Sequence, residues 1–130
     1  MSGAVVAAPI AVLVFRGLAV TVLAGVVVQF FLAGMTVFGA GMGWDAHAAT
    51  GGALGVPLIG LFLMSLSQGL RAYRGIAGML FALYLAQVTL AALGGALPLL
   101  GALHPVNGLV MALVALQLVR RLKPHNRGSF

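Results

Sequence analysis

The chain predicts an all-α membrane protein: a bundle of four transmembrane helices made of two parallel two-helix repeats. Three observations carry this. Hydrophobic residues fill 62% of the 130 positions and charged residues only 6%, with a mean hydropathy of +1.17; a water-soluble domain needs about 25% charged residues to coat its surface. Four apolar stretches each approach the roughly 20 residues a helix needs to cross a hydrocarbon core. The few polar residues recur in the same order in both halves. This composition excludes an ordinary soluble enzyme, a disordered chain and a secreted disulfide scaffold. Cysteine is absent, which removes disulfides, thiolate metal sites and iron–sulfur clusters. Residues 1–130 are expected to form a single integral membrane domain.

The first span is expected over about 16–39, between Arg16 and the glycine-rich stretch Gly39–Gly43. Apolar residues Ala4–Phe15 precede it. With no cation ahead of them they make a poor secretory signal, and they either extend the first helix or lie along the membrane surface. The second span, about 45–68, has Asp45 as its expected N-cap and Trp44 at the outer interface, where indole rings concentrate. The third runs over about 74–97 and stops before Pro98. The fourth runs over about 104–122, with His104 at the cap and Pro105 as the first helical residue, where proline is favoured.

The seven cations are Arg16, Arg71, Arg74, Arg120, Arg121, Lys123 and Arg127. They fall before span one, between spans two and three, and after span four, which for four spans is one side of the membrane. The positive-inside rule makes that side cytoplasmic and the protein a multi-pass inner (plasma) membrane protein with both termini inside. The formal charge of +6 is therefore topological and does not indicate a nucleic-acid partner. Contact of the tail (Arg120, Arg121, Lys123, Arg127) with anionic lipid is the other use of these charges. Asp45, the single acid, falls in the first outer loop.

The repeats cover about 16–70 and 74–122. Arg16-Gly17-Leu18-Ala19 recurs 58 positions on as Arg74-Gly75-Ile76-Ala77, with Gln29 matching Gln87 and Leu32-Ala33 matching Leu90-Ala91. Beyond the loop the offset is 57: His47-Ala48-Ala49-Thr50-Gly51 matches His104-Pro105-Val106-Asn107-Gly108. Shared leucine and alanine mean little in apolar segments, but arginine, glutamine and histidine in the same order argue for duplication. Both copies start on the same side, so the pseudo-twofold axis runs along the membrane normal. Spans one and three then form one diagonal pair, and spans two and four the other.

Polar side chains within a bilayer are costly and usually face the protein interior. Here they are chiefly Gln29, Gln87, His47, His104, Thr50 and Asn107; no acid or lysine lies within a span. That counts against proton-coupled transport and removes the usual acid/base pair or activated nucleophile. No catalytic residue is expected. His104 lies about 24 Å along a helix from Arg120, and Gln29, at a suitable depth beside it, about 20 Å from Arg16; His47 sits somewhat further from Arg71, so the second helix must be longer, or tilted. Each histidine is followed four residues later by a glycine, Gly51 or Gly108, on the same helix face. Two opposed imidazoles above two gaps in the wall describe a bis-histidine pocket for a flat macrocycle, with His47 and His104 on the iron. Gln29 and Gln87, or Thr50 and Asn107, would accept from the second ring nitrogens. Zinc is disfavoured by a set of two nitrogens. The plainer uses of the same residues are interfacial capping for histidine, interhelical hydrogen bonding for glutamine and close packing for glycine. His125 belongs to the solvated tail.

The stretch Gln87-Val88-Thr89-Leu90-Ala91, followed by Leu97-Pro98-Leu99 and Leu103-His104, resembles one half of haem A synthase. The resemblance implies a four-helix unit that alternates glutamine-bearing with histidine-bearing helices and holds haem between paired histidines; Gln29 through Gly51 is similar. That family has a second histidine pair and an acidic residue near its reactive haem. This chain has one pair and only Asp45, so oxygenation of a haem methyl is not implied. Over about its whole length the chain also resembles a family of short, uncharacterised four-helix bacterial membrane proteins, through Gln29-Phe30-Phe31-Leu32-Ala33-Gly34, His47 and His104-Pro105-Val106-Asn107. The expected function is a small b-type cytochrome with one haem b near the outer face, a carrier of electrons rather than an enzyme. Its partners would be the lipid bilayer, a quinone, a redox protein or a larger respiratory complex, or further copies of itself. The alternatives are haem delivery or sensing, and a cofactor-free structural or accessory membrane subunit.

Overall fold

The computed structural model describes residues 9–41 and 43–122. Residues 4–8 of the leading apolar stretch, Met42, and Lys123, His125 and Arg127 of the basic tail lie outside the described residues. Every regular element among those described is helical: α1 (Pro9–Val37), α2 (Trp44–Ala53), α3 (Gly55–Ser65), a 3-10 turn (Gln68–Tyr73), α4 (Arg74–Gly94) and α5 (Pro98–Arg121). They form four spans long and apolar enough to cross a membrane, with α2 and α3 together making the second.

Three expected boundaries are corrected. The first helix is already helical at Pro9, so Arg16 lies two turns inside it and residues 9–15 extend α1. A charge does not end a helix: an arginine stem runs along apolar surface while its head reaches polar surroundings. Phe15 is fully enclosed and packs on Tyr73 at 5.7 Å between ring centres, which ties this extension to the turn before α4. The last helix begins at Pro98 rather than at His104. Pro98 takes the first helical position, where its missing N–H is no loss, and Pro105 is accommodated inside the helix. His104 is therefore not a cap. Asp45 is not one either. Gly43 caps α2 with φ 72°, and Asp45 sits in the first turn without a side-chain capping bond, where its charge faces the positive end of the helix dipole.

The second span breaks at Leu54, between α2 and α3. Pro57 explains the break: it has no N–H for the carbonyl of Ala53, and its ring crowds that carbonyl. The Tyr84 hydroxyl stands 3.2 Å from the carbonyl oxygens of both Gly51 and Gly52, just before the break. Gly55 makes room for it, since a Cβ there would fall 2.9 Å from the tyrosine oxygen.

Span one packs on spans two and four, and span three packs on the same two. Spans one and three therefore lie across one diagonal, and two and four across the other, in the order expected. The fully enclosed side chains Phe15, Val22, Leu58, Leu61, Leu80 and Leu118 belong to the half of the bundle nearer the arginines. Large apolar residues such as Leu13, Phe31, Val56, Leu85 and Leu113 point outward, which suits lipid and would be costly in water. At the opposite end α4 and α5 meet backbone to backbone. A Cβ on Gly94 would lie 3.0 Å from the Cα of Gly101, and the reverse distance is the same.

Candidate functional site

The histidine end of the bundle holds a cavity of about 310 Å³ among all four spans. Gln29, His47, Gly51, Gln87, His104 and Gly108 all line it, with no charged residue in its wall; Thr50 and Asn107 do not line it. The pairing of depth read from residue spacing thus brings six of the eight candidates to one place. Tyr84, Phe30 and Met111, to which spacing assigns no site role, also line the cavity. For Tyr84 a signal existed. A tyrosine halfway along an apolar helix carries a hydroxyl that must find a partner.

The two imidazoles lie side by side in the cavity wall, their centres 6.0 Å apart and their planes at 60°. The Trp44 and His47 rings stand nearly perpendicular, with their centres 5.6 Å apart. Each histidine is oriented by the backbone of the preceding span. His47 Nδ1 lies 3.1 Å from the carbonyl of Gln29, and His104 Nδ1 lies 3.1 Å from that of Gln87. A carbonyl only accepts, so in each neutral ring Nδ1 carries the hydrogen and Nε2 carries the lone pair. The acceptors that fix the tautomers are main-chain oxygens of the two glutamines, not their side chains.

The glutamine side chains lie over the glycines. A Cβ on Gly51 would meet Gln29 Oε1 at 3.3 Å; one on Gly108 would meet Gln87 Nε2 at 3.3 Å and the Phe30 ring at 3.4 Å. The space beside each glycine is thus taken by a carboxamide. Beyond this point the two halves differ. The Gln87 carboxamide bonds to His104 and to Asn107, whereas Gln29 Nε2 is buried with no partner among the described residues. Thr50 donates to the carbonyl of Ala46 in its own helix at 2.7 Å.

Among the described residues no group of three or more His, Cys, Asp or Glu side chains comes together around a bare metal ion. Two imidazoles suit a metal that brings its other ligands with it.

The fold and site define a four-span helical membrane protein with a pair of half-buried histidines at one end of a largely apolar bundle. Residues 29–96, just over half of the chain, match a family of unknown function, DUF6220, and the chain belongs to that family. The match takes in Gln29, His47, Gly51 and Gln87 and stops short of His104. No curated protein and no solved structure matches the chain.

Proposed function

We propose that this chain is a small membrane b-type cytochrome that holds one haem between His47 and His104 for electron transfer. The observation that carries the reading is the histidine pair. Their ring centres are 6.0 Å apart in one cavity wall, near enough for both residues to hold one metal. Both rings present Nε2 as the lone-pair nitrogen, the state a ligand must have, with the backbone bond at Nδ1 that commonly accompanies ligation. Apart from the histidines, the glutamines and Tyr84 the wall of the cavity is apolar, and Gln29 supplies an orphaned buried donor. Haem, when bound, would supply a one-electron couple whose potential the two axial nitrogens tune. The chain's own part is to orient two neutral imidazoles, exclude water and yield space as the carboxamides over Gly51 and Gly108 swing aside. A quinone or a redox protein would exchange the electron.

The repeat belongs to the same proposal. The matching Nδ1-to-carbonyl bonds at His47 and His104 support two parallel copies related by an axis along the bundle, and the arginines support an orientation with both termini in the cytoplasm and the site toward the outer face. A reporter fused after Phe130 is expected to read cytoplasmic, and one inserted near Gly43 external. The opposite pattern would put the site on the inner side.

A second reading, a cofactor-free structural subunit, draws support from the Gln87 carboxamide, which bonds to both His104 and Asn107 and so locks α4 to α5. Purified protein separates the two: a Soret band, with sharp bands on dithionite reduction, supports the cytochrome, and a folded, colourless chain that takes up no added haem supports the subunit. The glycines offer a further test. Gly51→Leu and Gly108→Leu are expected to lower haem content while the chain still inserts, since leucine suits lipid and helix alike. Full haem content in both would detach the glycines from the pocket.

A further inference from the structure

We infer that the two histidines are not equivalent: the Gln87 and Asn107 side chains latch His104, and His47 is open, so that His47 is the standing axial ligand and His104 an exchangeable one. The ligand roles rest on the haem reading above; the latch itself rests on hydrogen bonds alone.

The assignment starts from a main-chain oxygen. The carbonyl of Leu83 can only accept, so the Asn107 atom 2.9 Å from it is the amide nitrogen. The same nitrogen lies 2.6 Å from the Gln87 carboxamide, which must therefore turn its oxygen toward Asn107. That places the Gln87 nitrogen 3.2 Å from Nε2 of His104. An amide nitrogen only donates, so Nε2 accepts. The ring hydrogen is then on Nδ1, which donates to the Gln87 carbonyl at 3.1 Å. Each bond fixes the next, and the chain ends by engaging the lone pair a metal would need.

The other half lacks one link. Thr50 stands where the repeat offset puts Asn107, and its hydroxyl is turned back to the carbonyl of Ala46. Gln29 Nε2 has no partner among the described residues. His47 Nδ1 donates to the Gln29 carbonyl, and no described group hydrogen-bonds to His47 Nε2. Threonine in place of asparagine thus leaves one ring open while the other is closed. His104 reaches a metal only when Gln87 releases it, and a small neutral ligand from outside can compete for the same position.

The test uses the full chain in lipid nanodiscs, in two arms. In the haem-free arm, diethylpyrocarbonate acylates imidazole at its unprotonated nitrogen. His47 is expected to react about five-fold faster than His104, the factor for a net hydrogen bond of about 1 kcal/mol. Asn107→Ala and Gln87→Leu should each raise the His104 rate toward that of His47, and Thr50→Asn should slow His47. In the haem-loaded arm, the wild type should show a mixture of spin states and bind carbon monoxide, and Asn107→Ala should raise the low-spin fraction and weaken carbon monoxide binding. Equal acylation rates in wild type and both latch variants, in a chain that takes up haem, would overturn the latch alone. A wholly low-spin wild type inert to carbon monoxide would overturn the exchangeable role of His104. Unequal rates in a chain that takes up no haem would overturn the function and the ligand roles together, leaving the latch as a structural device.

Discussion

His47→Ala is expected to leave the purified chain without bound haem, and His104→Ala to convert the low-spin part of its spectrum to high-spin. A single imidazole cannot fill both axial positions, so neither variant keeps the six-coordinate signature. The effects differ in size because the two rings differ in freedom. With Nδ1 bonded to the Gln29 carbonyl and Nε2 open, His47 loses nothing when it ligates; its removal should cost more than the roughly 10–100-fold in affinity that follows loss of an outer partner of a ligand. His104 must first give up Gln87, so less net affinity is lost with it. His125→Ala, in the tail beyond the described residues, should change neither. Absorbance of reduced and oxidised samples, with haem titration, reads all three, and a normal low-spin spectrum in both single variants would eliminate this ligand pair.

Gly101→Leu is expected to separate α4 from α5 and to lower stability by about 1–3 kcal/mol, the range for overpacking a tight site. The reason is particular to a bilayer. Lipid tails are as apolar as leucine, so helices associate through close packing and interhelical bonds rather than by escaping water. The Gly94–Gly101 approach is such a contact, with a Cβ at either position only 3.0 Å from opposing backbone, and backbone has no rotamer with which to yield. Gly95→Leu is the matched control. It lies one residue from Gly94, has nothing within 4 Å of a Cβ and should stay within about 0.5 kcal/mol of wild type. Thermal unfolding in one detergent compares the two, and equal midpoints would show that the contact carries no weight.

Much of this site could be read from spacing. Within a membrane a rare polar residue has a defined depth, so Gln29, Gln87 and His104 could be set level by counting from the arginines and His47 by its place in the repeat, and the structure gathers them at one cavity. The same counting misplaced the helix ends. It treated Arg16 and the His104–Pro105 pair as boundaries, whereas a long arginine stem and a proline are both accommodated inside α1 and α5; in a packed bundle, neighbouring groups and small local adjustments make up for the N–H that a proline lacks. The break at Pro57 and the role of Tyr84 depend on a contact between α4 and the second span, which one-dimensional periodicity does not encode. The difference between Thr50 and Asn107 was visible as letters. Its meaning depends on reach, which only the packed helices define.

The break at Leu54 divides the second span into two rods on a pivot. The lower rod is anchored, with Leu58 and Leu61 fully enclosed in the core. The upper one, α2, carries His47 and contributes no buried residue at all. It is held by polar struts instead: the tyrosine hydroxyl at its foot and the bond from its imidazole to span one. Tilting it forfeits a few hydrogen bonds and no core packing, which puts it among the least costly parts of the bundle to displace. The span that presents the open imidazole is thus also the part of the bundle whose displacement leaves the core packing intact.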